Sequence, residues 1–180
     1  MRFLKLLVVL ASLIPCSGIA PPSFALQAEK PSAALPRVAS AGEETLVIVV
    51  NKANPVENFK FDDLVRLFMA EQSHWPNGNR VTLVMHEIGR PERHAVLQSI
   101  YGMNEREFRS YFLNASILGK VASPPKVLAT PAGVRRFIFN VPGAIGYLRL
   151  SDVDSSVKIV RVDSRAPGEP GYRMKCKCAE

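Results

Sequence analysis

The sequence predicts an α/β domain, a sheet with helices packed on it, and three features carry that expectation. The run TLVIVV is apolar on both faces, as a strand covered from both sides must be. Segments with apolar residues at helical spacing alternate with further β-branched runs. Clusters of Pro, Gly and Asn punctuate the boundaries between them.

The chain opens with MRFLKLLVVLASLIP, in which Arg2 and Lys5 precede an apolar run too short to cross a bilayer comfortably. This is the layout of a secretory signal peptide, with SFA at Ser23 to Ala25 as the cleavage site, so the expected location is periplasmic or secreted. The run LIPC, ending at Cys16, offers lipid attachment as the rival reading, against which Pro15 stands where a small residue is expected. No other segment is apolar for long enough to span a membrane. Without residues 1–25, 155 of the 180 residues remain, enough for one domain that buries roughly 70% of its unfolded surface. Loss of Arg2 and Lys5 lowers the formal charge from +7 to +5. That surplus is scattered and not interleaved with aromatic residues, so nucleic acid is not an expected partner. It licenses only a modest pull on small anions.

Residues 26–43 are rich in Ala, Ser and Pro without sustained period and read as a leader. Structure is expected from 44 to 165. After the TLVIVV strand, NKANPVEN supplies a turn-rich connection. Phe61, Leu64, Val65 and Phe68 then form one stripe of a short helix. Pro76, Asn77 and Gly78 make a turn ahead of a second strand, VTLVM. Trp75 beside it suits either a ligand-stacking ring or, better, an anchor packed under a loop. Pro91 fits the first turn of the next helix, whose buried face is Val96, Leu97, Ile100 and Tyr101 and which Gly102 ends. Asn104 and Glu107 form a capping-box pair before Phe108, Tyr111, Phe112 and Ala115. In GKVASPPK, Pro124 and Pro125 exclude regular structure. Thr130 and Pro131 restart a helix with Val134, Phe137, Ile138 and Val141 inward. PGAIGYL reads as a tight turn into a strand and VKIVRV as the last strand.

Residues 166–180 read as a flexible tail. Cys176 and Cys178, in MKCKCAE, are separated by one residue, which disfavours an unstrained bridge between them. They could cross-link chains, form a strained disulfide, bind a soft metal or remain exposed thiols. With no third or fourth ligand nearby they are a weak metal candidate, and no cofactor is expected.

The junction MHEIGRPERHAVL, residues 85 to 97, sits where an α/β sheet gathers its ligands, between a strand end and a helix start. VVNKANPVENFKFDDLVRLFMAEQSHWPNG, that junction and PGAIGYL, in this order, resemble the periplasmic phosphate-binding proteins of ABC importers. The resemblance runs from about Thr45 to Val162. It implies a single lobe of a type II periplasmic-binding-protein fold, with a central mixed sheet flanked by helices. Family members that capture phosphate are two-lobed clamps, and this chain has room for one lobe. The resemblance therefore implies a solute-binding-protein-like module with phosphate or another small oxyanion as guest. Its implied partners are an ABC importer, a sensor or a second lobe-bearing chain.

In the family, a strand-ending arginine and a Gly-Ser-Gly-Thr turn bind the anion. Here His86 stands at the arginine position and Gly89 at the first glycine, while Arg90, Pro91 and Glu92 replace Ser, Gly and Thr. Both hydroxyls are missing, one N–H is lost to Pro91, and Glu92 places a carboxylate where the anion would dock. Each lost charge-assisted hydrogen bond is worth about 1.5 to 3 kcal/mol, so two lost weaken binding roughly a hundred-fold or more. Arg90 and Arg93 offset part of that if they converge with His86 on one concave, positive patch. Otherwise they are the charged rim of a helix start. The second reading is an interaction or accessory protein that keeps the fold without a ligand, with the CKC tail mediating association.

An enzyme is not expected. His86 and Glu87 point to opposite faces of a strand, His94 lies on the helix beside Arg93, and neither G-x-S-x-G nor H-E-x-x-H occurs.

Overall fold

The computed structural model of the protein describes residues 43–121 and 123–177. The expected signal peptide, Cys16, most of the leader and Cys178 lie outside these residues. The described chain is a mixed sheet with helices on both faces. Its strands are β1 (Glu43–Val50), β2 (Asn58–Phe59), β3 (Thr82–His86), β4 (Lys126–Leu128), β5 (Ala144–Arg149), β6 (Lys158–Val162) and β7 (Lys175–Lys177). The helices are α1 (Phe61–Phe68), α2 (Pro91–Val96), α3 (Glu105–Ile117) and α4 (Pro131–Asn140). A π-helical turn, Leu97–Tyr101, continues α2, and a 3-10 turn, Leu150–Asp152, follows β5.

The sheet order is β2-β6-β1-β5-β3-β4, with β7 pairing the start of β1. β1 runs antiparallel to β5, β6 and β7, while β3 is parallel to both β4 and β5. Strand alternation explains the two-faced apolar run in β1. Leu46, Ile48 and Val50 enter one core with α1, the π turn and α3, and Val47 and Val49 enter a second core with Val134 and Ile138 of α4.

Local chemistry sets the helix ends. Asn104 Oδ1 accepts from the backbone N–H groups of Arg106 and Glu107, and Glu107 Oε2 accepts from the Asn104 N–H, completing the capping box that starts α3. Thr130 Oγ1 accepts from the Gly133 N–H at the start of α4. Gly102, at φ +62°, stops the π turn in the left-handed region. Trp75 is an anchor under its loop: it is buried, and its indole N–H donates to the Gly143 carbonyl at 2.9 Å.

The C-terminal segment departs from the expectation of a flexible tail. Residues 175–177 form β7 opposite Glu43–Thr45, and Tyr172, Met174 and Cys176 alternate into the first core. The run is too short and too charged to announce itself as a strand by periodicity, and only pairing with β1 gives its apolar residues somewhere to go. Cys176 is fully buried and disulfide-bonded, not an exposed thiol. Its sulfur is thereby removed from the weak metal-ligand pair proposed with Cys178. The short strands β2 and β4 also escaped the sequence reading, β4 because Pro124 and Pro125 lie immediately before it.

Candidate functional site

The junction expected to carry the site starts at the end of β3. His86, the last residue of that strand, is 1% exposed. Its backbone N–H donates to Tyr147 Oη at 3.1 Å, and its ring Nε2 lies 3.2 Å from the Tyr147 carbonyl. A carbonyl can only accept, so Nε2 carries the proton, leaving Nδ1 bare, buried and without a hydrogen-bond partner. Burial lowers the His86 pKa below its ordinary value, against the opposing pull of Glu92 and of the Tyr147 carbonyl. The imidazole is therefore neutral and turned into the fold.

The turn after β3 reaches α2 through Gly89, whose φ of +90° favours glycine. Arg90 then precedes α2 in extended conformation, and Pro91 occupies the first helical position, where its missing N–H costs nothing. Glu92 follows, and its carboxylate is 1% exposed. Glu92 Oε1 accepts from Arg90 Nη2 at 3.2 Å and lies 3.0 Å from Arg149 Nε. Arg149 ends β5 and gathers two more carboxylates, Asp152 at 2.9 Å and Glu44 at 3.3 Å. Burial alone would lower the Arg149 pKa, but the hydrogen bond and charge of Asp152, then the charges of Glu92 and Glu44, raise it. Glu92 Oε2 and Arg90 Nε have no hydrogen-bond partner.

Arg93 is committed elsewhere. Its Nε and Nη2 donate to the two carboxylate oxygens of Glu105, each at 2.8 Å, in the bidentate fork geometry. Nη1 donates to the His86 carbonyl at 2.8 Å, and the guanidinium lies 5.1 Å over the Phe108 ring. This one side chain ties the end of β3 to α2 and to the capped start of α3. With its fork engaged and its surface buried, it has little to offer an external anion.

A groove of about 1100 Å³ opens between α2 with its π turn, the start of α3 and β7. Of the residues expected to bind, Gly89, Arg90 and Arg93 line it. His86 and Glu92 do not: both are buried, His86 against Tyr147 and Glu92 against the half-buried Arg149. The junction thus divides into an ion-pair network centred on the buried Glu92 and a groove lined by Gly89, Arg90 and Arg93. The sequence reading missed Arg149, whose one signal is an arginine ending an apolar strand, and Lys175 and Lys177, which it assigned to a tail. Among the described residues, no cluster of three His, Cys, Asp or Glu is placed to hold a metal ion, and no helix is long and apolar enough to cross a membrane.

No family model and no curated protein matches the sequence. Solved structures do match the fold. An ABC-type phosphate transport receptor from Vibrio cholerae aligns at TM-score 0.57 and 19% identity over 75% of this chain and 55% of that one. A putative phosphate ABC transporter substrate-binding protein with bound phosphate from Clostridium perfringens aligns at 0.60 and 19%, over 74% and 53%. PstS from Borrelia burgdorferi aligns at 0.60 and 12%, over 76% and 56%. The chain therefore has the α/β fold of part of these receptors and spans about half of their length.

Proposed function

We propose that this chain is an exported, non-catalytic module that keeps the fold of one receptor lobe and works by association with another protein, not by carrying free phosphate. One observation carries this reading: the Glu92 carboxylate, buried between Arg90 and Arg149, takes the interactions a captured anion would need. A tethered carboxylate pays no translational entropy, so a dissolved anion must displace it from both arginines before binding. The match to part of the phosphate receptors supports a module that shares their fold. The neighbours' printed roles as receptor and substrate-binding protein support a non-catalytic part. So does the burial of His86 against Tyr147.

Calorimetric titration with phosphate and sulfate tests the reading. The unmodified protein is expected to show no binding heat at millimolar anion, while E92A, with the tethered carboxylate gone, gains measurable binding. Tight phosphate binding by the unmodified chain would overturn the proposal in favour of a working, one-lobe oxyanion receptor.

A further inference from the structure

We infer that the outer face of α3 is a docking surface of this module, and that its occupant is an amphipathic helix of another protein, with carboxylates toward one end and aliphatic side chains toward the other. The inference rests on the associative reading above and gives it a surface and a partner chemistry. The three most exposed large hydrophobic side chains among the described residues gather at one end of this helix: Leu113, Ile117 and, at its C-cap, Leu118 are 63%, 73% and 66% exposed. Phe108, Phe112 and Ala115 already take the inner face of α3 into the core. The helix therefore carries a second apolar patch, which folding leaves in water.

Charge complementarity selects the occupant. Exposed Arg106, Arg109, Leu113 and Ile117 follow one another at three- and four-residue spacing on one face of α3, cations first and aliphatics after, over about 16 Å. Neither guanidinium forms an ion pair or hydrogen bond with a described residue. The carboxylates beside them are engaged, Glu105 with Arg93 and Glu107 in the capping box. Arg106 also stands in the first turn, where a cation opposes the helix dipole, so the stability of α3 does not account for it. A second copy of this face would bring cations and no spare carboxylate. The leader, residues 26–42, supplies one acid, Glu29, against Lys30 and Arg37. A helix lying in a membrane surface flanks its apolar stripe with cations along its length, whereas here the two kinds of residue share a single stripe end to end. A partner helix repeats the same spacing, so its carboxylates meet both arginines in fork geometry while its aliphatic turn packs on Leu113 and Ile117.

Fluorescence anisotropy tests the proposal, with residues 26–180 titrated into a labelled helical peptide whose one face carries glutamates in its first half and leucines in its second. R106E/R109E is expected to weaken binding at least roughly tenfold, and R106Q/R109Q to give a smaller loss in the same direction. L113S/I117S is likewise expected to lose about tenfold. The control R136E/R161E makes the same charge change at exposed positions outside α3 and is expected to leave affinity within about twofold. Thermal melts establish that each variant is folded, and the glutamine pair decides the matter if the glutamate pair is not. Absence of peptide binding, or equal loss in the control, overturns the proposal. So does binding of phosphatidylglycerol vesicles through these residues with none of peptide, which would make the occupant a membrane surface. Self-association abolished by L113S/I117S, again with no peptide binding, overturns it in favour of a second copy. If peptide fails and phosphate also gives no heat, the docking proposal falls alone. If peptide binds as expected and the unmodified protein also binds phosphate tightly, the docking surface stands and the reading under which free phosphate is not the guest falls.

Discussion

Glu92 and Arg149 meet at 3.0 Å, joining the first turn of α2 to the end of β5. The contact is asymmetric in its surroundings: the Glu92 side chain is 1% exposed, whereas Arg149 is 28% exposed and retains Asp152 and Glu44 as partners.

That asymmetry sets the order of two mutants. R149A leaves a buried carboxylate with Arg90 alone, and is expected to cost about 3 kcal/mol, the lower end for breaking a buried pair. E92Q leaves arginines that reach water and other acids, and is expected to cost about 1 kcal/mol. Urea unfolding compares them. Equal losses would show that the pair is not limited by the burial of Glu92.

His86 makes stability pH-dependent in a definite direction. Its pKa is lowered in the folded state by burial, so the unfolded chain binds the proton more readily. The contribution is complete above the unfolded value of about 6.5 and is lost as pH falls from there through the folded pKa. Denaturation midpoints between pH 7 and 5 are expected to decline less steeply in H86Q than in the unmodified protein. Parallel declines would assign the acid sensitivity to other groups.

Tyr147 supplies an acceptor that phenylalanine cannot. In Y147F the His86 backbone N–H loses its partner at a buried site, an expected cost of about 1 to 3 kcal/mol. Guanidinium melts measure it, and a neutral substitution would mean that another acceptor reaches that N–H.

Gly143 is constrained by space. A Cβ there would stand 1.8 Å from the Arg80 carbonyl oxygen, and the Gly143 carbonyl accepts from both Trp75 and the Thr82 N–H. G143A must therefore shift backbone, and an expected loss of about 3 kcal/mol or more should appear as a lowered thermal midpoint. An unchanged midpoint would refute the close approach.

Removing residues 166–180 tests the corrected end of the domain. The cut strips Tyr172, Met174 and Cys176 from the core, each worth about 1.5 to 3 kcal/mol if fully buried, and is expected to leave the chain largely unfolded by circular dichroism. A truncated chain as stable as the parent would restore the view of this segment as a dispensable tail.

The sequence by itself determined the α/β class, the two-faced burial of β1, and the helix starts at Asn104, Thr130 and Pro91. Those features depend on neighbours a few residues apart, where periodicity and capping chemistry act. It also showed that the junction after β3, residues 85–97, contains no serine or threonine. Only the tertiary structure decided what Arg90, Glu92 and Arg93 do, because their partners Arg149, Glu105 and the His86 carbonyl come from elements that meet only on folding. A glutamate or arginine in a helix's first turn reads as solvent-facing until a distant opposite charge offsets its desolvation. The same holds for β7, whose apolar residues are buried because β1 offers an edge to pair with, a fact no local pattern records.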